Sequence, residues 1–126
     1  MRLMCFCLFF LITALCLSAK SNNIISISGN VVEKENFGPP NFGETPEQDV
    51  REISYFVFFD TPKQFIVNGE KKEIKEMQLI FYKLSNNKNE FIPDRNYLFT
   101  GHIESAETGH HHSNFIFIVD EYHLEE

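Results

Sequence analysis

Hydrophobic and polar positions along this chain alternate in short runs broken by turn residues, which is the signature of strands rather than helices. Ile24, Ile25, Ile27, Val31 and Val32 are β-branched and partly alternating, with Gly29 among them, and predict a strand with a bend or bulge. The turn-rich stretch 36–45 contains Phe37-Gly38-Pro39-Pro40-Asn41-Phe42-Gly43, and its two prolines exclude a central strand because they donate no ladder hydrogen bond. It reads as a long loop with two aromatic anchors.

Residues 53–59 form a dense aromatic and β-branched run ending at Asp60-Thr61-Pro62, which predicts a second, central strand. Phe65, Ile66 and Val67 then lead into Asn68-Gly69, the strongest short hairpin signal available. Residues 70–76 are charged and read as exposed, and 77–82 as another strand. A polar break at 84–89 precedes Phe91 and Ile92, which predict a docked turn of helix before Pro93. Asn96–Ser105 reads as a strand with a bend at Gly101. A Thr108-Gly109 turn then opens the last strand, 113–123, where Phe115, Phe117 and Val119 alternate with Ile116 and Ile118.

Five or six strands, no amphipathic helix and glycines inside two strands predict an all-β fold. Glycines and bulges let a sheet curl, so the expected architecture is a small, curved antiparallel barrel of the oligonucleotide/oligosaccharide-binding (OB-fold-like) kind. A small β-sandwich is the alternative.

The N-terminus changes the domain boundaries. Arg2 precedes an almost unbroken apolar run from 3 to 17, followed by the small residues Ser18 and Ala19. That is the secretory pattern, and at about 15 residues the run falls short of the roughly 20 that span a bilayer. The expected division is a cleaved signal peptide over 1–19 and a single domain over 20–126, exported to the periplasm or beyond, with no transmembrane span in the mature chain. Cys5, Cys7 and Cys16 all lie within the leader. The mature domain then has no disulfide and no thiolate chemistry, and must rely on its core.

Charge narrows the partners. The net charge is −7, and removing Arg2 with the leader makes it more negative. Such a field repels phosphate backbones, so nucleic acid is not an expected partner.

The chemistry is concentrated at one place, the His110-His111-His112 triplet. With Thr108-Gly109 as a two-residue hairpin loop, Glu107 faces His110, Ser105 faces His112, and His110 and His112 share one strand face. Two imidazoles at i and i+2 can hold a divalent ion if a third ligand comes from elsewhere. Glu107 and His102 complete the candidate set, with Glu104 and His123 as further donors, and Zn, Cu or Ni as the ions that suit imidazole and carboxylate. The plainer reading is a polar hairpin tip.

A partner-binding surface is expected from Pro39, Pro40 and Asn41 together with Thr108, Gly109 and His111, the Pro-rich loop lying beside the hairpin. Tyr55, Tyr82 and Tyr97 are the aromatic side chains best suited to an exposed face. An enzyme is not expected. Ser105, Ser113, His112 and Asp120 supply residue types, but there is neither a nucleophile elbow nor a His-Glu-x-x-His helix.

Four stretches, in order and spacing, resemble a bacterial family known as domain of unknown function 4431. They are Gly38-Pro39-Pro40-Asn41-Phe42, Asp60-x-Pro62 with Val67-Asn68-Gly69, Ile74-Lys75-Glu76-Met77-Gln78-Leu79, and Thr108-Gly109-His110-His111-His112-Ser113. Members of that family often carry Cys where Ile66 stands, and further His just before the Thr-Gly, where this chain has Ser105 and Glu107. The resemblance implies the fold and the export, and no established activity. Two functions therefore stand: an exported binding domain for a divalent metal or a protein partner of the envelope, and a structural or accessory envelope module without a ligand.

Overall fold

The computed structural model describes residues 23–82, 91–92 and 94–126. The expected leader, 1–19, lies outside the described residues. Five strands run in the order β1 (Ile25–Phe37), β2 (Arg51–Val67), β3 (Glu70–Ile80), β4 (Asn96–Ser105) and β5 (Phe115–Leu124). They close into a barrel in the order β1-β2-β3-β5-β4. The all-β, OB-fold-like barrel expected from the alternation is present, and the two-sheet sandwich is not. The expectation of a wholly antiparallel barrel needs one correction: β3 and β5 pair in parallel, over Gln78–Ile80 and Ile116–Ile118.

β1 serves two neighbours. Its first half, Ile25 to Asn30, pairs with β4, and its second half, Asn30 to Phe37, pairs with β2. β4 bends against β5 at Thr100/Gly101, where the register shifts. The reason lies in the spacing: a Cβ on Gly101 would sit 1.9 Å from the Ile118 carbonyl oxygen. Only a residue without Cβ lets β5 approach so closely.

Every second residue points inward, as the strand period requires. Val57, Met77, Phe99, Phe117 and Val119 are fully buried at the centre of the core. Each such side chain contributes about 1.5–3 kcal/mol by leaving water. Phe91 seals one end, with its ring centroid 5.0 Å from Tyr55, 5.1 Å from Tyr97 and 5.2 Å from Tyr122. The Tyr97 hydroxyl accepts the Ile92 N–H at 3.0 Å. Phe91 therefore docks as expected, but residues 91–92 are not helical. Tyr97 is buried rather than exposed, because its ring belongs to this cluster.

Two strands are longer than their sequence suggests. β2 continues through Pro62 to Val67. Pairing with β3 runs from Tyr55 to Phe58, shifts, and resumes at Lys63, so Pro62 sits where the ladder asks for no donor. β3 includes the charged stretch from Glu70, since Ile74 points inward and is buried. Between them, Asn68 (φ 52°) and Gly69 (φ 79°) form the two-residue turn that Asn-Gly predicts. Among the described residues no helix is long and apolar enough to cross a membrane.

Candidate functional site

The connection between β4 and β5 is not a two-residue turn. Strand pairing stops at Ser105 opposite Phe115, and the Ala106 N–H donates to the Asn114 carbonyl at 3.0 Å. The histidines thus lie in a nine-residue loop, 106–114, and not on a strand. The strand-face geometry expected for His110 and His112 is therefore replaced by another. Thr108 and Gly109 still turn the chain: the His111 N–H donates to the Thr108 carbonyl at 3.0 Å.

This loop folds back over the outer face of β2 and β3. Two polar residues of outward strand parity receive it. Glu52 on β2 accepts His110 Nδ1–H at 2.8 Å on one oxygen and His112 Nε2–H at 2.6 Å on the other. Gln78 on β3 donates from Nε2 to the His110 carbonyl at 3.0 Å and accepts the His112 N–H at 2.6 Å. The Ser113 hydroxyl accepts the Gln78 N–H at 3.0 Å and donates to the Phe115 carbonyl at 2.5 Å. Gln78 and Ser54 are buried on the outside of the barrel, and the loop explains why Gln78 can be: both ends of its side-chain amide are bonded to backbone groups.

The electrostatics follow. Burial pushes the Glu52 carboxyl up, but the hydrogen bonds from His112 and His110 and their positive charge outweigh it. The net effect holds Glu52 below its usual value of 4.5. His111 works differently: its Nδ1 accepts the backbone N–H of Glu107 at 3.0 Å and of Thr108 at 3.4 Å. The middle imidazole is thus an internal cap for the turn.

The second loop, 38–50, is held from within. Gly38 N–H donates to the Val50 carbonyl at 2.7 Å, and Val50 N–H to the Pro39 carbonyl at 2.9 Å. The buried Asp49 carboxylate accepts the N–H groups of Asn41 at 2.8 Å and Gly43 at 2.7 Å. Burial again opposes ionisation, and the backbone donors again win, so the Asp49 carboxyl lies below its usual 3.8. These bonds bracket Phe42, which adopts φ 52°, a left-handed conformation costing a side-chain-bearing residue roughly 1–2 kcal/mol. The strain has a visible result. The Phe42 ring stands edge-on to His110, with centroids 5.1 Å apart, and covers Gly109 so closely that a Cβ there would lie 2.7 Å from it.

The Pro-rich loop and the histidine loop therefore meet, through Phe42 on Gly109 and His110. Pro39, Pro40, Asn41 and Thr108 are exposed around that contact. Beside it lies an open groove of about 460 Å³ whose apolar walls are Ile53, Ile80 and Tyr82, with Thr108 and His111 along the loop side. Ile53 and Tyr82 are 52% and 65% exposed. Of the three tyrosines expected on an exposed face, Tyr82 alone is there. Tyr55 packs on Phe81 and Phe91.

The candidate metal set does not assemble. His110 and His112 converge, but on Glu52. Glu107 brings its backbone to His111, and His102 pairs along β4 with Glu104 at 2.9 Å. Among the described residues no group of three or more His, Cys, Asp or Glu side chains is arranged to hold a metal ion. Sequence reasoning missed Glu52 and Gln78. One signal was available: each is a polar residue at outward parity beside or within an apolar strand.

No family model, no curated protein and no solved structure matches this chain. The resemblance to domain of unknown function 4431 rests on the quoted motifs alone.

Proposed function

We propose that this chain is an exported, non-enzymatic binding domain that engages a protein partner of the cell envelope. The contact face is the outer side of β2 and β3 between loops 38–50 and 106–114. OB-type barrels present ligands to the strand 2–3 face and to the loops between strands 1 and 2 and between strands 4 and 5. The observation that carries the reading is the joining of those two loops by Phe42 on Gly109 and His110, at the cost of a left-handed phenylalanine. Backbone strain held by surrounding bonds is characteristic of sites that must be preorganised. The histidines position the loop in this reading and do not ligate an ion. The acidic chain makes nucleic acid an unsuitable occupant of the same face.

The test is site-specific photo-crosslinking in intact cells. A benzophenone side chain at position 53 or 82 is expected to give a discrete protein adduct in the envelope fraction. The same probe at exposed Lys75 on β3 is expected to give none. Equal labelling from all three positions, or no adduct at all, overturns the reading and leaves a structural module without a partner on this face.

A further inference from the structure

The geometry points to a second binding site, for a small organic ammonium ion, at the end of the barrel that Phe91 closes. A recess of about 260 Å³ opens there, lined by Val31, Val32 and Glu33 of β1, Tyr55 of β2, and Phe91 and Asp94 from the connection before β4. The strand register builds it. Glu33 stands directly opposite Tyr55, and Val31, two residues earlier, shares their face. Val31 is buried, whereas Glu33 continues that row to the rim of the barrel and is exposed. Barrel mouths are a common place for small ligands. The recess shares no residue with the groove beside the histidine loop.

Its lining is of two kinds. The valines and the rings of Tyr55 and Phe91, with centroids 5.0 Å apart, supply an apolar and aromatic wall. Glu33 and Asp94 supply two carboxylates, and among the described residues no salt bridge or side-chain hydrogen bond engages either. No Lys, Arg or His lines the recess. Lys34, next to Glu33, points to the opposite face of β1, where its Nζ lies 2.6 Å from Glu76 and 4.5 Å from the centre of the Phe56 ring. Arg95, next to Asp94, lines a different recess together with Glu125 and Glu126.

Aromatic rings beside carboxylates are the chemistry that recognises an ammonium group. The charge is attracted to ring faces and pairs with the carboxylates, while the hydrocarbon body leaves water against the valines. A neutral ligand leaves both carboxylates unused, and an anion is repelled. A metal ion gains nothing from rings and methyl groups, and two carboxylates are too few ligands for a hard cation. The volume sets the size. It falls below the roughly 300–1,000 Å³ of sites for drug-sized ligands, so one ring or a short alkyl chain bearing a single ammonium group fills it.

The experiment titrates phenethylammonium, phenethyl alcohol and phenylacetate into the exported domain in about 0.05 M salt, read by amide shifts in NMR spectra. Phenethylammonium is expected to saturate, with its largest shifts at Val31, Glu33, Tyr55 and Asp94. It should bind about tenfold more tightly than phenethyl alcohol, and phenylacetate should not bind. In the E33Q/D94N variant, amine and alcohol are expected to bind within about twofold of each other. Asn keeps the φ of 59° that Asp94 adopts, and melting temperature verifies the fold. The E44Q/E47Q variant makes the same change of net charge at exposed positions outside the recess, and should keep the tenfold preference. Equal binding of amine and alcohol by the native domain overturns the site, as does a preference that survives in E33Q/D94N. Shifts spread over the whole surface, or an equal loss of preference in E44Q/E47Q, overturn it in favour of general attraction to an acidic chain. No saturable shift below about 20 mM amine overturns it as well.

Discussion

His112 donates its Nε2–H to Glu52 across sixty positions of sequence, at 2.6 Å. This bond fixes the loop between β4 and β5 to the outside of β2. With His110 on the second oxygen, the carboxylate is saturated from one side by two donors. Replacing Glu52 by Gln leaves one acceptor for those two donors and turns an amide N–H toward an imidazole. Charge-assisted bonds to a half-buried group are lost, so the expected cost is about 1–2 kcal/mol. Urea unfolding of the E52Q variant measures it. Hydrogen exchange should quicken within 106–114 and stay unchanged in β4.

The same residue sets an acid response. Its carboxyl is held below 4.5 in the folded state. A lowered folded value means that the stabilisation is fully present above the unfolded value and is lost as pH falls through the folded one. Melting temperature is therefore expected to drop as pH is taken below 4.5. The fall should be shallower in E52Q, which retains only the contributions of groups such as Asp49. Identical acid limbs for the two proteins contradict this.

Gln78 uses both ends of its amide on the backbone of the histidine triplet. Gln78→Leu keeps the volume and strands a carbonyl and an N–H beneath the loop. Unsatisfied groups of this kind cost about 1–3 kcal/mol each. The expected loss is about 2–3 kcal/mol in denaturant unfolding, larger than for E52Q because Gln78 is buried.

Gly101→Ala tests the bend in β4. A methyl there meets the Ile118 carbonyl oxygen at 1.9 Å, a contact only the backbone can relieve. The expected loss is about 3 kcal/mol or more. Gly109→Ala should be milder, because the obstacle is the half-exposed Phe42 ring, which can swing away. Its expected signature is loss of the Phe42–His110 contact in NMR spectra with little change in melting temperature.

Zinc, copper and nickel are expected to give no saturable heat when titrated into the chelator-treated domain, since among the described residues no three His, Cys, Asp or Glu side chains are arranged to hold an ion. A saturable isotherm abolished in the H110A/H112A protein would restore the metal assignment.

Sequence pattern revealed the barrel wherever structure depends on neighbours. The limits of β4, the Asn68-Gly69 turn and the bend at Gly101 are local matters of propensity and turn chemistry. It understated β2 because Pro62 usually ends a strand, and here a shift of register removes the need for its N–H. The triplet was plain as a concentration of imidazoles, but its geometry was not. A Thr-Gly pair suggested a tight hairpin, whereas the loop is held open by Glu52 and Gln78, residues 58–60 and 32–34 positions away. Such pairings leave no periodic trace. Tyr97 was misplaced for a related reason: one hydrogen bond to Ile92 lets its hydroxyl enter the interior.

The parallel seam between β3 and β5 spans only Gln78–Ile80 and Ile116–Ile118, far less than any other junction in the barrel. The Ser113 hydroxyl, bonded at once to Gln78 and Phe115, acts as the hook that begins it. Cooperative units open first where the fewest bonds hold them. Unfastened there, the cylinder unrolls into an open ribbon with two bare margins, the form in which chains of this kind adhere to one another. Removing the Ser113 hydroxyl is therefore expected to ease that opening and to raise the tendency to aggregate.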